Sequence, residues 1–299
     1  MSFIRSTIRN MAKLPIAGAH TFMATNGLTF NYAVQGTGPL VVFQSTGWGP
    51  SVDLYKNSFG RLETDFTILY LNARGAGGSS RASPDQMSTT DMASDLELLR
   101  SYLGVDKLKL IGHSNGGAIA LAYAEEYPDS VEKLVLIDSE LQGFTSDNFM
   151  NYVRARQGHP IYGPALQALM EAQQNPPKSD EEFADIVRKT APYYFKDTDQ
   201  VHLFLDALGN GSVSLFNFDN QKRCDAIEKF NAVKGLGKVK AKTLVINGDD
   251  DAMCSMDAAR KVSGSILDAR LEFVENAGHL PWLEQPDQFF SIVKRFLEE

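Results

Sequence analysis

Short runs of β-branched and large apolar residues alternate along the chain with longer stretches whose apolar positions recur every three or four residues. Leu40–Gln44 (LVVFQ) and Thr67–Leu71 (TILYL) are continuous apolar runs, the pattern of strands buried on both faces. Leu108–Ile111, Lys133–Asp138, Thr243–Asn247 and Leu271–Val274 continue the series. Thr21–Thr25 and Leu28–Val34 flank Asn26-Gly27, which predicts a hairpin closed by a two-residue turn. Asp91–Leu103 predicts a helix, with Met92, Leu96, Leu99 and Leu103 on one face and Gly104 just past its end. Asn115–Tyr127, ended by Pro128, and Met256–Val262 and Pro286–Leu297 predict further helices. An opening hairpin followed by strand–helix alternation argues an α/β fold with a mostly parallel, helix-covered sheet.

The alternation stops between Asp138 and Thr243. That stretch has no buried-strand run, is rich in helix formers, and carries aromatics including Phe149, Tyr152, Tyr162, Phe183, Tyr193, Tyr194, Phe204 and Phe218. A loop that long without structure of its own is implausible. The expectation is a basic arm over residues 1–20, a core over 21–140 and 236–299, and an inserted helical cap over 141–235.

Composition narrows the class. At 43% hydrophobic and 22% charged, the 299 residues are ordinary for a globular protein. The net charge of −8 argues against a nucleic-acid partner, because an acidic surface repels phosphate. No run approaches the roughly 18 apolar residues of a membrane span. Cys224 and Cys254 form no CxxC pair or zinc-spaced cluster, so no metal is expected and a reducing, cytoplasmic setting is the simpler reading. Arg5, Arg9 and Lys13 are the charges of the first 20 residues, and no acid precedes Asp53; such a start is either a flexible arm or an organelle-targeting segment. The pattern implies a small-molecule substrate and leaves a monomer or homodimer open.

The chemistry sits between a strand and a helix. Gly112-His113-Ser114-Asn115-Gly116 is a G-x-S-x-G elbow in the context it requires. The turn is tight enough that side chains two before and two after the serine would collide, and glycine removes the collision. The helix N-terminus aims free N–H groups and a positive dipole end at Ser114. Serine needs a base to be nucleophilic at neutral pH. His279 follows the strand Leu271–Val274 by a short loop, at the carboxyl edge of the sheet where Ser114 is expected. His113 lies inside the elbow and points away from the base position; with Trp48 it is expected to line the substrate pocket. The acid that orients His279 is expected at the end of the strand Thr243–Asn247, where Gly248 precedes Asp249, Asp250 and Asp251. Asp251 is the choice, with Asp250 one register away and Asp138 a substitute at the end of its own strand. Asp249 is expected to cap the turn.

These segments resemble the α/β-hydrolase superfamily from about Thr21 to the C-terminus. The resemblance rests on the elbow, on Gly248–Asp251, on Gly278-His279-Leu280-Pro281-Trp282-Leu283-Glu284, and on Asn72-Ala73-Arg74-Gly75-Ala76-Gly77-Gly78-Ser79. The last is similar to a D-x-R-G-x-G-x-S loop, with Asn72 in place of the usual aspartate. The resemblance implies an eight-stranded sheet with a helical cap after the sixth strand. Asp251-Ala252-Met253-Cys254 and Pro192-Tyr193-Tyr194-Phe195 resemble proline-iminopeptidase-like members, and Gly47-Trp48-Gly49 resembles fungal ones. After LVVFQ the family usually shows H-G-G-G-P or H-G-G-P-G; here Gln44-Ser45-Thr46-Gly47-Trp48-Gly49-Pro50 stands instead. An ungapped match assigns the oxyanion donors to the backbone of Thr46 and Asn115, with Gly47 or Trp48 serving if the register shifts.

The expectation is a cofactor-free serine hydrolase acting on a small or medium apolar ester, lactone, thioester or amide through Ser114, His279 and Asp251. The alternatives are C–C cleavage, lyase or cyclase use of the same site, an iminopeptidase-like aminopeptidase, and a triad-bearing receptor.

Overall fold

The computed structural model describes residues 15–49, 51–156, 158–209 and 212–299. Their strands are β1 (Gly18–Met23), β2 (Thr29–Gly36), β3 (Leu40–Gln44), β4 (Thr67–Leu71), β5 (Leu108–His113), β6 (Val131–Ile137), β7 (Lys242–Gly248) and β8 (Ala269–Val274). They form an eight-stranded sheet in the order β1-β2-β4-β3-β5-β6-β7-β8. The β1–β2 and β2–β4 pairs are antiparallel, and all later pairs are parallel. The basic positions Arg5, Arg9 and Lys13 lie outside the described residues.

β3 and β4 coincide with their apolar runs, and the ends of the other strands differ from the predicted ones by up to three residues. The opening hairpin differs from its expectation. Gly27 N donates to Ala24 O and Ala24 N donates to Leu28 O, so the loop holds three residues rather than two. A two-residue turn of the Asn-Gly type needs positive φ at both central positions. Here only Gly27 has it (φ 85°), while the Asn26 side chain accepts from Leu28 N.

Parallel strands require crossovers, and the crossover helices cover both faces. Thr89–Leu103, Ser114–Glu126 and Met256–Ser265 pack on one face, where Leu96, Leu99, Ile119, Leu121 and Val262 are buried in one apolar cluster with side chains of β3, β5 and β6. Ser88 caps the first of these helices reciprocally with Asp91, and left-handed Gly104 ends it. The C-terminal helix Pro286–Glu298 packs on the other face. There Phe59, Trp282, Phe289 and Phe290 meet edge to face or tilted, at 5.1–6.1 Å between ring centroids.

Between β6 and β7 the chain forms the helices Asn148–Ala155, Tyr162–Gln174, Asp180–Thr190, Val201–Leu208 and Leu215–Glu228. Tyr152, Tyr162 and Tyr193 build a core of their own there with Ala165 and Ala252.

The Arg74 loop is a strut. Arg74 Nε and Nη2 donate to both carboxylate oxygens of Asp95 at 2.7 and 2.6 Å, and Arg74 also donates to the carbonyls of Gln86 and Asp91. Both side chains are buried. Removing one partner of such a pair leaves the other charge buried and uncompensated. Arg74→Ala should therefore cost about 3–5 kcal/mol of unfolding free energy. The double variant Arg74→Met with Asp95→Leu should recover most of that loss, as read by urea denaturation of both.

Candidate active site

The site is assembled at the carboxyl ends of β3, β5, β6, β7 and β8. Ser114 opens the helix after β5 with φ 53°, a left-handed value that a non-glycine residue adopts only under constraint. The constraint is close packing. A Cβ on Gly112 would lie 2.5 Å from Gly116 O, and one on Gly116 would lie 2.5 Å from Gln44 O. Asn115 fastens the turn from the side: its Oδ1 accepts from Gly47 N at 2.8 Å and its Nδ2 donates to Glu140 Oε2 at 3.1 Å.

His279 is held at every polar atom but one. Its backbone N donates to Tyr194 O at 2.8 Å. Its carbonyl accepts from His113 Nε2 at 3.0 Å, and its Nδ1 lies 2.9 Å from Asp251 Oδ2. A carboxylate only accepts, so Nδ1 carries the proton, and a neutral ring then offers its Nε2 lone pair as a base. Both side chains are buried, Asp251 completely.

His113 is also fixed by elimination. Burial and the adjacent His279 hold its pKa well below the ordinary 6.5, so the ring is neutral. Nε2 faces a carbonyl and must donate, which leaves Nδ1 to accept from the Tyr55 hydroxyl at 3.0 Å. His113 thus borders the pocket with a ring face while both nitrogens are spent inside the protein.

The three consecutive aspartates diverge. Asp249 pairs with Lys196 Nζ at 3.1 Å, and Asp250 pairs with Arg156 Nη2 at 2.6 Å. Asp251 faces His279 and also accepts from Met253 N at 2.7 Å. Behind Asp251 lies Asp138, fully buried at φ 41°. Its Oδ1 accepts from Gly248 N at 2.8 Å, and its carboxyl meets that of Asp251. Burial first, and then the proximity of Asp251, push the Asp138 carboxyl well above its ordinary 3.8.

Glu284 ties the His279 loop to the preceding helices. Its Oε1 accepts from Lys196 N and Asp197 N at 2.9 and 3.0 Å, and its Oε2 accepts from Gly278 N at 2.6 Å. Burial raises Glu284 to about 7 against the pull of these donors.

Ser114, His279, Thr46, Trp48 and His113 all border one slot. Of the oxyanion candidates, Gly47 N is occupied by the Asn115 side chain. Thr46 borders the slot together with Ser114, and Asn115 lies in the first helical turn, where N–H groups have no partner within the helix. Among the described residues, the ligand-type atoms of Asp251, Cys254 and His279 come within 4.8 Å of one another. Two of them are already joined by a hydrogen bond, and burial pushes the Cys254 thiol well above its ordinary 9.0. The pairing of Asp138 with Asp251 and the anchoring by Glu284 go beyond the sequence reading, although both residues stand inside segments it singled out.

A family profile described as the alpha/beta hydrolase fold matches residues 39–286. The chain is 27% identical over 286 residues to the proline iminopeptidase PfmaB of Pestalotiopsis fici, covering 93% of this chain and 99% of that protein. It is 24% identical to the 2-hydroxy-6-oxo-6-phenylhexa-2,4-dienoate hydrolase of Comamonas testosteroni, covering 90% of this chain and 91% of the relative. Among solved structures, an esterase from Exiguobacterium antarcticum superposes with a TM-score of 0.72 at 21% identity, covering 93% of this chain and 99% of that one. Among the described residues no helix is long and apolar enough to cross a membrane.

The buried carboxyl pair sets a pH dependence. Asp138 has a folded pKa above its unfolded one, so its contribution to stability is complete below the unfolded value and is lost as pH rises through the folded value. An asparagine at this position would be neutral at every pH and could still accept from Gly248 and donate to Asp251. Unfolding free energy measured against pH should therefore fall more steeply above pH 4 in the wild type than in Asp138→Asn, by up to about 1.4 kcal/mol per pH unit.

Proposed function

The chain belongs to the α/β-hydrolase fold family, and from that premise we propose that it is a serine hydrolase with Ser114 as nucleophile, His279 as base and Asp251 as the orienting acid. The observation that carries this reading is one slot bordered by Ser114, His279 and Thr46, with His279 Nδ1 committed to a buried Asp251. His279 Nε2 takes the Ser114 proton as the serine oxygen attacks a carbonyl carbon. The backbone N–H groups of Thr46 and Asn115 receive the oxyanion, in a water-poor slot where such donors are worth most. His279 then protonates the leaving group and activates a water that releases the acyl group. The helices between β6 and β7 act as a cap, and their aromatic walls favour an apolar ester, lactone, thioester or amide.

A second reading has one observation in its favour. The Glu140 carboxylate borders a polar cavity one hydrogen bond from the elbow, where it could hold a substrate amine. An aminopeptidase would then cleave aminoacyl amides with a free amine and reject the N-acetylated forms. It would lose that preference in Glu140→Gln.

Ser114→Ala and His279→Ala should each lower kcat by about 10⁴–10⁶-fold. Intact mass after fluorophosphonate treatment should show one adduct on the wild type and none on Ser114→Ala. A folded wild type that gives no adduct and turns over no ester or amide would sink the reading.

A further inference from the structure

Three cavities meet at two side chains. The slot that holds Ser114 and His279 has a volume of about 70 Å³, whereas each of its two neighbours has about 620 Å³. Trp48 and Met253 border all three and stand where they join. The neighbours share Phe149, Phe218 and Lys222 but differ in the rest of their walls. One adds Phe183, Val187, Tyr194 and Leu215 and is mainly apolar. The other adds Asn115, Glu140, Gln142 and Asp225.

Part of the slot's wall belongs to the core: Leu54, Tyr55, Phe204 and Leu280 are all buried. Tyr55 is pinned by its hydroxyl on His113 and by ring contacts to Phe43 at 4.3 Å and to Trp282 at 6.0 Å. At roughly 10–15 Å³ per water-sized group, the slot takes on the order of five such groups.

The direction of the leaving group follows from His279, which must protonate it. The Tyr194 ring lies 5.5 Å from the His279 ring and borders both the slot and the apolar cavity. A group departing from His279 therefore passes over Tyr194 into apolar space. The polar cavity reaches the site from the other side, at Asn115.

Resting on the hydrolase reading above, we infer that the preferred substrates are short-chain acyl esters, of about two to four carbons, of bulky apolar alcohols or phenols, and that Trp48 and Met253 set the limit on acyl length. The Ser114 oxygen bonds to the acyl carbon as the carbon–alkoxide bond breaks. The serine proton passes through His279 to the departing alcohol. Water then releases a short carboxylic acid and restores Ser114.

The test holds the leaving group constant with 1-naphthyl acetate, butyrate, hexanoate and octanoate, and holds the acyl group constant with ethyl against 2-cyclohexylethyl acetate, two primary alkyl esters of similar leaving-group acidity. Excluding even one methylene from a shaped pocket is worth at least about tenfold in kcat/KM. The wild type should therefore lose at least tenfold between butyrate and hexanoate, and should prefer cyclohexylethyl to ethyl acetate by a similar factor. Trp48→Ala should remove the drop at hexanoate by joining the slot to its neighbours. Met253→Ala, at a side chain 45% exposed, gives the same readout if Trp48→Ala does not fold. A flat or rising profile in an enzyme whose Ser114 takes a fluorophosphonate would overturn the partition and leave the serine hydrolase standing. A preference for free-amine aminoacyl substrates would overturn it too, by placing the acyl group beside Glu140. Absence of both labelling and turnover would remove the partition together with the reading beneath it.

Discussion

At φ 53°, Ser114 is held in a conformation that costs a non-glycine residue about 1–3 kcal/mol. It persists because its neighbours leave no alternative. Gly112 and Gly116 face each other across the turn, Gly116 rests on the β3 carboxyl end, and Asn115 bridges the β3 loop at Gly47 to Glu140 beyond β6. The strain is thus borne by three strands at once. The same contacts that impose it bring the Thr46 segment up against Ser114, so the slot and the strained turn are one construction.

A second economy concerns charge. Three adjacent carboxylates at the end of β7 would repel one another in any common direction. The structure separates them, sending Asp249 to Lys196, Asp250 to Arg156 and Asp251 to His279. Asp138 adds a fourth carboxyl beneath them, and burial favours its neutral form over another negative charge. His279 therefore meets one carboxylate in a fixed orientation although four acids converge on its strand edge.

The apolar runs made the sheet legible. LVVFQ and TILYL are buried along nearly their whole length, as continuous hydrophobicity requires, and the glycine pair around Ser114 marked the elbow. Features that depend on distant backbone were less legible. Glu284 works by accepting from N–H groups 87 and 88 residues earlier, and nothing in its local pattern announces them. The separation of Asp250 from Asp251 depends on Arg156, which comes from the inserted segment. Asp53–Lys56 forms a four-residue helix too short to show periodicity. The Asn26-Gly27 pair had a local signal, but only its glycine takes positive φ, and the turn gains a residue.

The bonds around Tyr194–Asp197 have a mechanical meaning. Tyr194 O holds the His279 backbone, and Glu284 staples Lys196 N and Asp197 N to Gly278 N. The helices between β6 and β7 and the His279 loop are thus tied through one four-residue segment. Displacing residues 194–197 would pull on the His279 backbone and, through it, on the contact of its ring with Asp251. The helix Tyr162–Gln174 is fastened to the same segment at its first residue, since the Tyr162 hydroxyl donates to Phe195 O at 2.9 Å. Leu169, Ala172 and Ile186, farther along their helices, border the apolar cavity and make none of the hydrogen bonds that hold His279.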